Sequence, residues 1–218
     1  MLNLFFDLDG TLIDPQEGIT NCVQHTLREL GADVPDAAEL TWMIGPPLGH
    51  GFMHLLQDPD LAMQAVEIYR ERYAEEGMFE ADIYDGVGEM FDQLHQIDAR
   101  LFIATSKPLV FAQEVVGHFG LHAHIEQLFG SELDGTRADK TELLQHALDE
   151  TGIDPAQAIM IGDREFDIFG AKNNDIPNIA ALWGFGDAEE LRRAEPDMMA
   201  GHPEEVLEIA ADMMGLEI

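Results

Sequence analysis

Four short apolar runs constrain this chain more than any other feature of its sequence. Leu4 to Phe6, Leu101 to Ala104, Ala158 to Ile161 and Ile179 to Leu182 are each too short for a helix, apolar on both faces, and bounded by polar residues or glycine. Strands buried on both sides of a parallel sheet have this pattern. Between the runs the apolar spacing becomes helical. Val87, Met90, Phe91 and Leu94 fall at i, i+3, i+4 and i+7, as do Val206, Ile209, Ala210 and Met213, and Leu143, Leu144, Ala147 and Leu148 share one face. This alternation predicts an α/β fold with a doubly wound, Rossmann-like parallel sheet.

Residues 15–83 break the alternation. Asp14 and Pro15 suit the start of a helix, with Glu17 placed to complete a capping box. Ile19, Val23, Leu27 and Leu30 then line one face, and further helical stretches are expected over 37–43, 48–57 and 61–76. No strand is expected here. The segment is predicted to be an all-helical insert after the first strand, with residues 1–14 and 84–218 forming the sheet-containing core.

Composition narrows the function. Eleven basic against 43 acidic residues give a formal net charge of −32. Nucleic acid polymers and anionic membranes, which need a basic face, are not expected partners. So acidic a surface fits either a salt-adapted protein, whose self-repulsion is screened, or an ordinary acidic one. Cys22 is the only cysteine, so no intrachain disulfide can form, and no apolar run approaches the length of a bilayer span. The N-terminus lacks the pattern of a signal peptide. The chain reads as cytoplasmic, a monomer or small homo-oligomer.

Four segments carry candidate chemistry. In FFDLDGT, Asp7 and Asp9 stand two residues apart where an apolar strand ends, and Gly10 permits a sharp turn. Ligands bind at that edge of a parallel sheet. Two carboxylates beside an apolar strand are costly without a cation, and a hard dication with oxygen ligands removes the cost. Asp7, Asp9 and Asp14 would otherwise be turn and cap residues. In LFIATSKP, Thr105 and Ser106 can donate to phosphate oxygens, although a plain strand–helix turn would look the same. Lys140 lies near a helix start, where the helix dipole gives a cation nothing. Taken alone it reads as a solvated surface lysine, but a bound anion gains weight in a chain with three lysines, Lys107, Lys140 and Lys172. In IMIGDREFD, a helix starting near Asp163 would set Asp163 and Asp167 on one face, both directed at the strand ends. Acid enrichment at a helix start is the alternative.

Taken in order, these segments resemble the haloacid dehalogenase-like superfamily of phosphatases, and the resemblance covers essentially the whole chain. It implies that Asp7 attacks phosphorus and becomes an aspartyl-phosphate, and that Asp9 protonates the leaving oxygen and then deprotonates water. It implies that Thr105, Ser106 and Lys140 hold phosphate oxygens, that Asp7, Asp9 (through its carbonyl) and Asp163 bind Mg²⁺, and that Asp167 supports them. Ninety-five residues separate Asp9 from Thr105 but only 34 separate Thr105 from Lys140. Only the first gap can hold a cap domain, so 15–83 is expected to be one. Asp9 argues against dehalogenases, which lack the second aspartate. The absence of lysine before Lys107 argues against phosphonate-cleaving relatives, which use a cap lysine.

The pattern is most similar to phosphoglycolate phosphatase-like and 5′-nucleotidase-like members. IGPPLGHGF, residues 44–52, looks like their cap loop, with Gly45, Pro46 and His50 expected to meet the substrate; a rigid turn between helices is the plainer reading. The implied substrate is a small phosphorylated metabolite, phosphoglycolate first and a nucleoside monophosphate second, with a sugar phosphomutase as the alternative chemistry. Arg164, beside Asp163, is expected either to bridge core and cap or to face solvent.

Overall fold

The computed structural model describes residues 2–216, and the chain forms two compact units. One runs to Ile13 and resumes at Ile83; the other is Asp14–Asp82.

In chain order the elements are β1 (Asn3–Phe6), β2 (Ile13–Asp14), α1 (Gln16–Glu29), α2 (Leu48–Leu56), α3 (Pro59–Glu75), β3 (Asp82–Ile83), α4 (Val87–Gln96) and β4 (Arg100–Pro108). They continue with α5 (Leu109–His118), β5 (Gln127–Ser131), α6 (Lys140–Thr151), β6 (Ala158–Gly162), α7 (Glu165–Asn173), β7 (Asn178–Ala181), α8 (Ala188–Ala194), β8 (Met198–Ala200) and α9 (Val206–Met214).

The first unit is built on a six-stranded parallel sheet in the order β5-β4-β1-β6-β7-β8. The predicted α/β, doubly wound architecture is present. All four apolar runs are strands, joined by β5 and β8, which the apolar pattern did not mark. β1 lies at the centre because every one of its residues is buried, from Asn3 to Phe6. Phe5 stacks on Phe102 of β4 with ring centroids 4.8 Å apart. Leu143, Leu144 and Ala147 of α6 complete that side of the core. The chain runs from β1 outward to β4 and β5, then returns past β1 to β6, β7 and β8. The loops leaving β1 and β6 therefore diverge, and a crevice opens between neighbouring strands at their carboxyl ends.

The second unit is helical. α1 buries Ile19, Cys22, Val23 and Leu27. Asp14 lies one residue before the cap position, yet its Oδ1 still accepts the Gln16 N–H at 2.9 Å. The expected helix over 37–43 is instead two 3₁₀ turns, Ala37–Glu39 and Thr41–Met43. α3 starts earlier than its apolar pattern, because Asp58 caps it and Pro59 fills its first position. Phe52 of α2 packs edge-on against Tyr69 of α3, centroids 6.1 Å apart. Arg72 of α3 pairs with Glu80 at 2.9 Å and donates to the Cys22 thiol at 3.0 Å. The chain crosses between the units through the two-residue strands β2 and β3. No helix among the described residues is long and apolar enough to cross a membrane.

Candidate active site

The loops after β1 and β6 carry the acidic residues of the site. The Asp7 N–H still donates to the Ile161 carbonyl at 2.9 Å, so Asp7 sits where β1 ends against β6. The chain then turns back. The amides of Thr11, Leu12 and Ile13 all point at the Leu8 carbonyl, and Gly10 takes φ +86°. A side chain is disfavoured in that conformation. A Cβ at position 10 would also strike the Asp163 carboxylate.

Asp163 follows β6 directly and is fully buried. The expected helix over Asp163 begins later, at Glu165, with Arg164 as its cap residue. Asp163 and Asp167 are therefore not an i, i+4 pair on one helical face. They meet because the loop turns Asp163 inward while Asp167, in the first turn of α7, points back and accepts the Arg164 N–H at 3.1 Å. Oxygens of Asp7, Asp163 and Asp167 lie within 4.8 Å of one another.

Lys140 is the first residue of α6 and is buried. Its Nζ donates to Asp7 Oδ1 at 3.0 Å and to the Ala104 carbonyl at 2.9 Å. It also lies 2.8 Å from Asp167 Oδ1, so that the two carboxylates share one ammonium. The anions that explain a lysine at this helix start are thus protein carboxylates. Asp139, not Lys140, caps the helix.

Sequence reasoning gave Lys107 no role in the site. Its Nζ is 2.6 Å from Asp9 Oδ1, with both side chains largely buried. Its amide donates to Thr105 Oγ1 at 3.2 Å. Thr105 is buried, and β4 departs from regular pairing with β5 between Thr105 and Pro108. Such irregularities redirect side chains beside sites. The Ser106 carbonyl accepts the Ser131 hydroxyl at 2.8 Å. Gly45, Pro46 and His50 belong to the second unit: Gly45 and Pro46 form the turn before α2, and His50 is exposed in its first turn. The Arg164 side chain is largely buried and does not face solvent. It pairs with Glu190 of α8 at 2.8 Å, inside the first unit. The Glu190 carboxylate also accepts the Glu165 N–H at 3.0 Å, closing the start of α7.

Three buried carboxylates face one buried ammonium. Burial pushes the Asp163 carboxyl well above its ordinary range, and the charges of Asp167 and Asp7 push it further. Asp167 is raised to about 6, by burial first, with Lys140 opposing and Asp7 reinforcing. Burial disfavours the Lys140 charge, but Asp167 and Asp7 outweigh it and its pKa rises. Burial raises Asp9 too, against the pull of Lys107. A divalent cation fits this excess: oxygens of three buried carboxylates lie together around one point, with a single lysine against them.

Residues 4–181 match the haloacid dehalogenase-like hydrolase family. A 5′-nucleotidase of Pseudomonas aeruginosa is 46% identical over 195 residues, 89% of this chain and 88% of that protein. Tyrosine-protein kinase PtkA of Mycobacterium tuberculosis is 35% identical over 186 residues, 85% of this chain but 64% of that longer protein. A solved structure from Clostridium acetobutylicum, described as a predicted phosphatase, superimposes with a TM-score of 0.90 at 36% identity, covering 99% of each chain.

Proposed function

This chain belongs to the haloacid dehalogenase-like hydrolase family and is a phosphatase, and from that premise we propose that it hydrolyses a small phosphate monoester through an aspartyl-phosphate on Asp7, with Mg²⁺ as cofactor. One observation carries the reading. The Asp7 carboxylate stands at the carboxyl end of the central strand, held 3.0 Å from a buried lysine. There it can present an oxygen to phosphorus. Lys140 fixes its orientation and is placed to offset charge on the phosphoryl oxygens as the bond forms. The Thr105 hydroxyl and nearby backbone amides are assigned to the same oxygens, with Ser106 alongside.

Asp9 is assigned the proton transfers: to the leaving oxygen in the first step and from the attacking water in the second. Burial favours its protonated form, as the first step needs, while Lys107 favours the carboxylate, as the second needs. Asp7, Asp163 and the Asp9 carbonyl are assigned to Mg²⁺, with Asp167 holding Lys140 and the α7 start in place. When bound, the cation offsets the repulsion between these carboxylates and an anionic ester. Unit Asp14–Asp82 is assigned the role of a cap that selects substrate, with Gly45, Pro46 and His50 as its contacts.

The similarity to a 5′-nucleotidase moves nucleoside monophosphates ahead of phosphoglycolate, the ester that the motif pattern suggested first. The test is a panel of nucleoside monophosphates, phosphoglycolate and hexose phosphates, with and without EDTA, reading free phosphate. Mg²⁺-dependent release is expected, and an Asp7→Asn variant should lose activity by at least about 10³-fold. Isomerised sugar phosphate without free phosphate would replace hydrolysis with a mutase reaction. Undiminished activity in Asp7→Asn would remove Asp7 as nucleophile.

A further inference from the structure

One segment lies against the carboxylate cluster without adding a charged side chain to it: the turn from Trp183 to Gly186, between β7 and α8. The Phe185 N–H donates to Asp163 Oδ2 at 2.8 Å. The Trp183 indole N–H donates to the Thr11 carbonyl at 2.9 Å, which pins the turn to the loop bearing Asp7 and Asp9. The turn packs closely on the Asp163 and Gly10 loops. A Cβ at position 184 would overlap both the Asp163 side chain and the Gly10 carbonyl oxygen, and a Cβ at position 186 would overlap the Asp163 carbonyl oxygen. The buried Asp163 carboxylate also accepts from the Thr11 hydroxyl, 3.4 Å from Oδ1.

We propose that the Trp183–Gly186 turn is a positioning element for the divalent cation: it fixes the Asp163 carboxylate relative to Asp7 and thereby sets the affinity of the site for Mg²⁺. This rests on the reading that Mg²⁺ binds Asp7 and Asp163. Groups that hydrogen-bond to a metal-ligating carboxylate orient it, and their loss typically weakens metal binding about 10–100-fold. Here the orienting donor is a main-chain amide, which no substitution at Phe185 short of proline removes. The amide reaches Asp163 only because position 184 has no side chain. The obstruction at 184 is partly the Gly10 carbonyl, so rotation of a side chain does not relieve it. Either Asp163 or the Asp7–Asp9 loop must move.

The protein supplies its own reporter, because Trp42 and Trp183 are its only tryptophans. In a Trp42→Phe background, Trp183 emission follows Mg²⁺ titration of EDTA-stripped protein, with calorimetry as a second measure. The Trp42→Phe protein is expected to show saturable binding. Adding Gly184→Ala should weaken Mg²⁺ binding at least about tenfold while leaving the KM for ester at saturating Mg²⁺ unchanged, and added Mg²⁺ should restore phosphate release. Trp183→Phe, read by calorimetry, should weaken binding about threefold. Unchanged Mg²⁺ affinity in Gly184→Ala overturns the proposal; if that variant does not fold, unchanged affinity in Trp183→Phe does so. Absence of saturable binding in the parent protein would instead overturn the cation reading beneath it.

Discussion

Asp163 and Asp167 show how a residue's environment becomes a property of the protein. Both are buried beside Asp7, and their carboxyls titrate above the ordinary range, Asp167 at about 6. The folded state therefore binds more protons than the unfolded chain from about pH 4 upward. Stability from this cluster is complete below the unfolded pKa and declines as pH rises through the folded values. In EDTA, Asp163→Asn should be more stable than the parent at pH 8 by several degrees in Tm, with the gap narrowing towards pH 4. Thermal unfolding across that range measures it, and a gap independent of pH would mean that charge is not its source. Lys107 carries a second prediction. Held 2.6 Å from Asp9, it fixes the proposed proton donor. Lys107→Met should lower kcat about tenfold for alkyl esters and much less for p-nitrophenyl phosphate, whose leaving group needs little proton donation. Equal losses on both would place Lys107 elsewhere in the reaction. Asp7, Asp9, Lys140 and Asp163 were legible as candidates because each stands where an apolar run ends or a helix begins. Lys107 stands at such an end too. Nothing in TSKP, however, says which way a long flexible side chain will turn, and its partner lies 98 residues away in sequence.

At the scale of elements, the buried strands could be read because burial on both faces writes an unbroken apolar run. β5 and β8 could not. QLFGS begins with an exposed glutamine and ends on a serine, and its Gly130 makes room for the Leu109 backbone, so three of its five positions carry no apolar signal. β8 has three residues at the sheet edge, and Met198 and Met199 are exposed. The start of α7 was misplaced for a different reason. Asp163 has the side chain of a helix cap, but burial among carboxylates holds it outside the helix, and Glu190 takes over part of the capping. In the helical unit α1 packs its Gly18 closely against the Gly77 backbone. A Cβ at Gly18 would overlap the Gly77 carbonyl oxygen. Gly18→Ala should accordingly destabilise the protein by roughly 1–3 kcal/mol, although alanine favours helices, because overpacking against backbone outweighs helix propensity. Urea unfolding tests this, and a stabilised variant would contradict the packing described.

The whole molecule carries a charge of −32, and an anionic ester must approach it. At low salt that field slows encounter; as the Debye length contracts from about 10 Å at 0.1 M to about 3 Å at 1 M, the repulsion fades. The kcat/KM for a dianionic ester at saturating Mg²⁺ should therefore rise severalfold between low and high NaCl. A steady fall would show that the positive charges inside the site dominate the encounter. The net charge was visible in the sequence, but where the few cations lie was not. Two of the three lysines, Lys107 and Lys140, are buried in ion pairs with Asp9 and Asp7. Lys172 alone is exposed, its Nζ donating to the Ala194 carbonyl at the end of α8. Reagents directed at lysine side chains thus find a single exposed target on the folded protein, on α7. A fluorophore, a surface tether or a cross-linker aimed at lysine is directed there, with Lys107 and Lys140 out of reach.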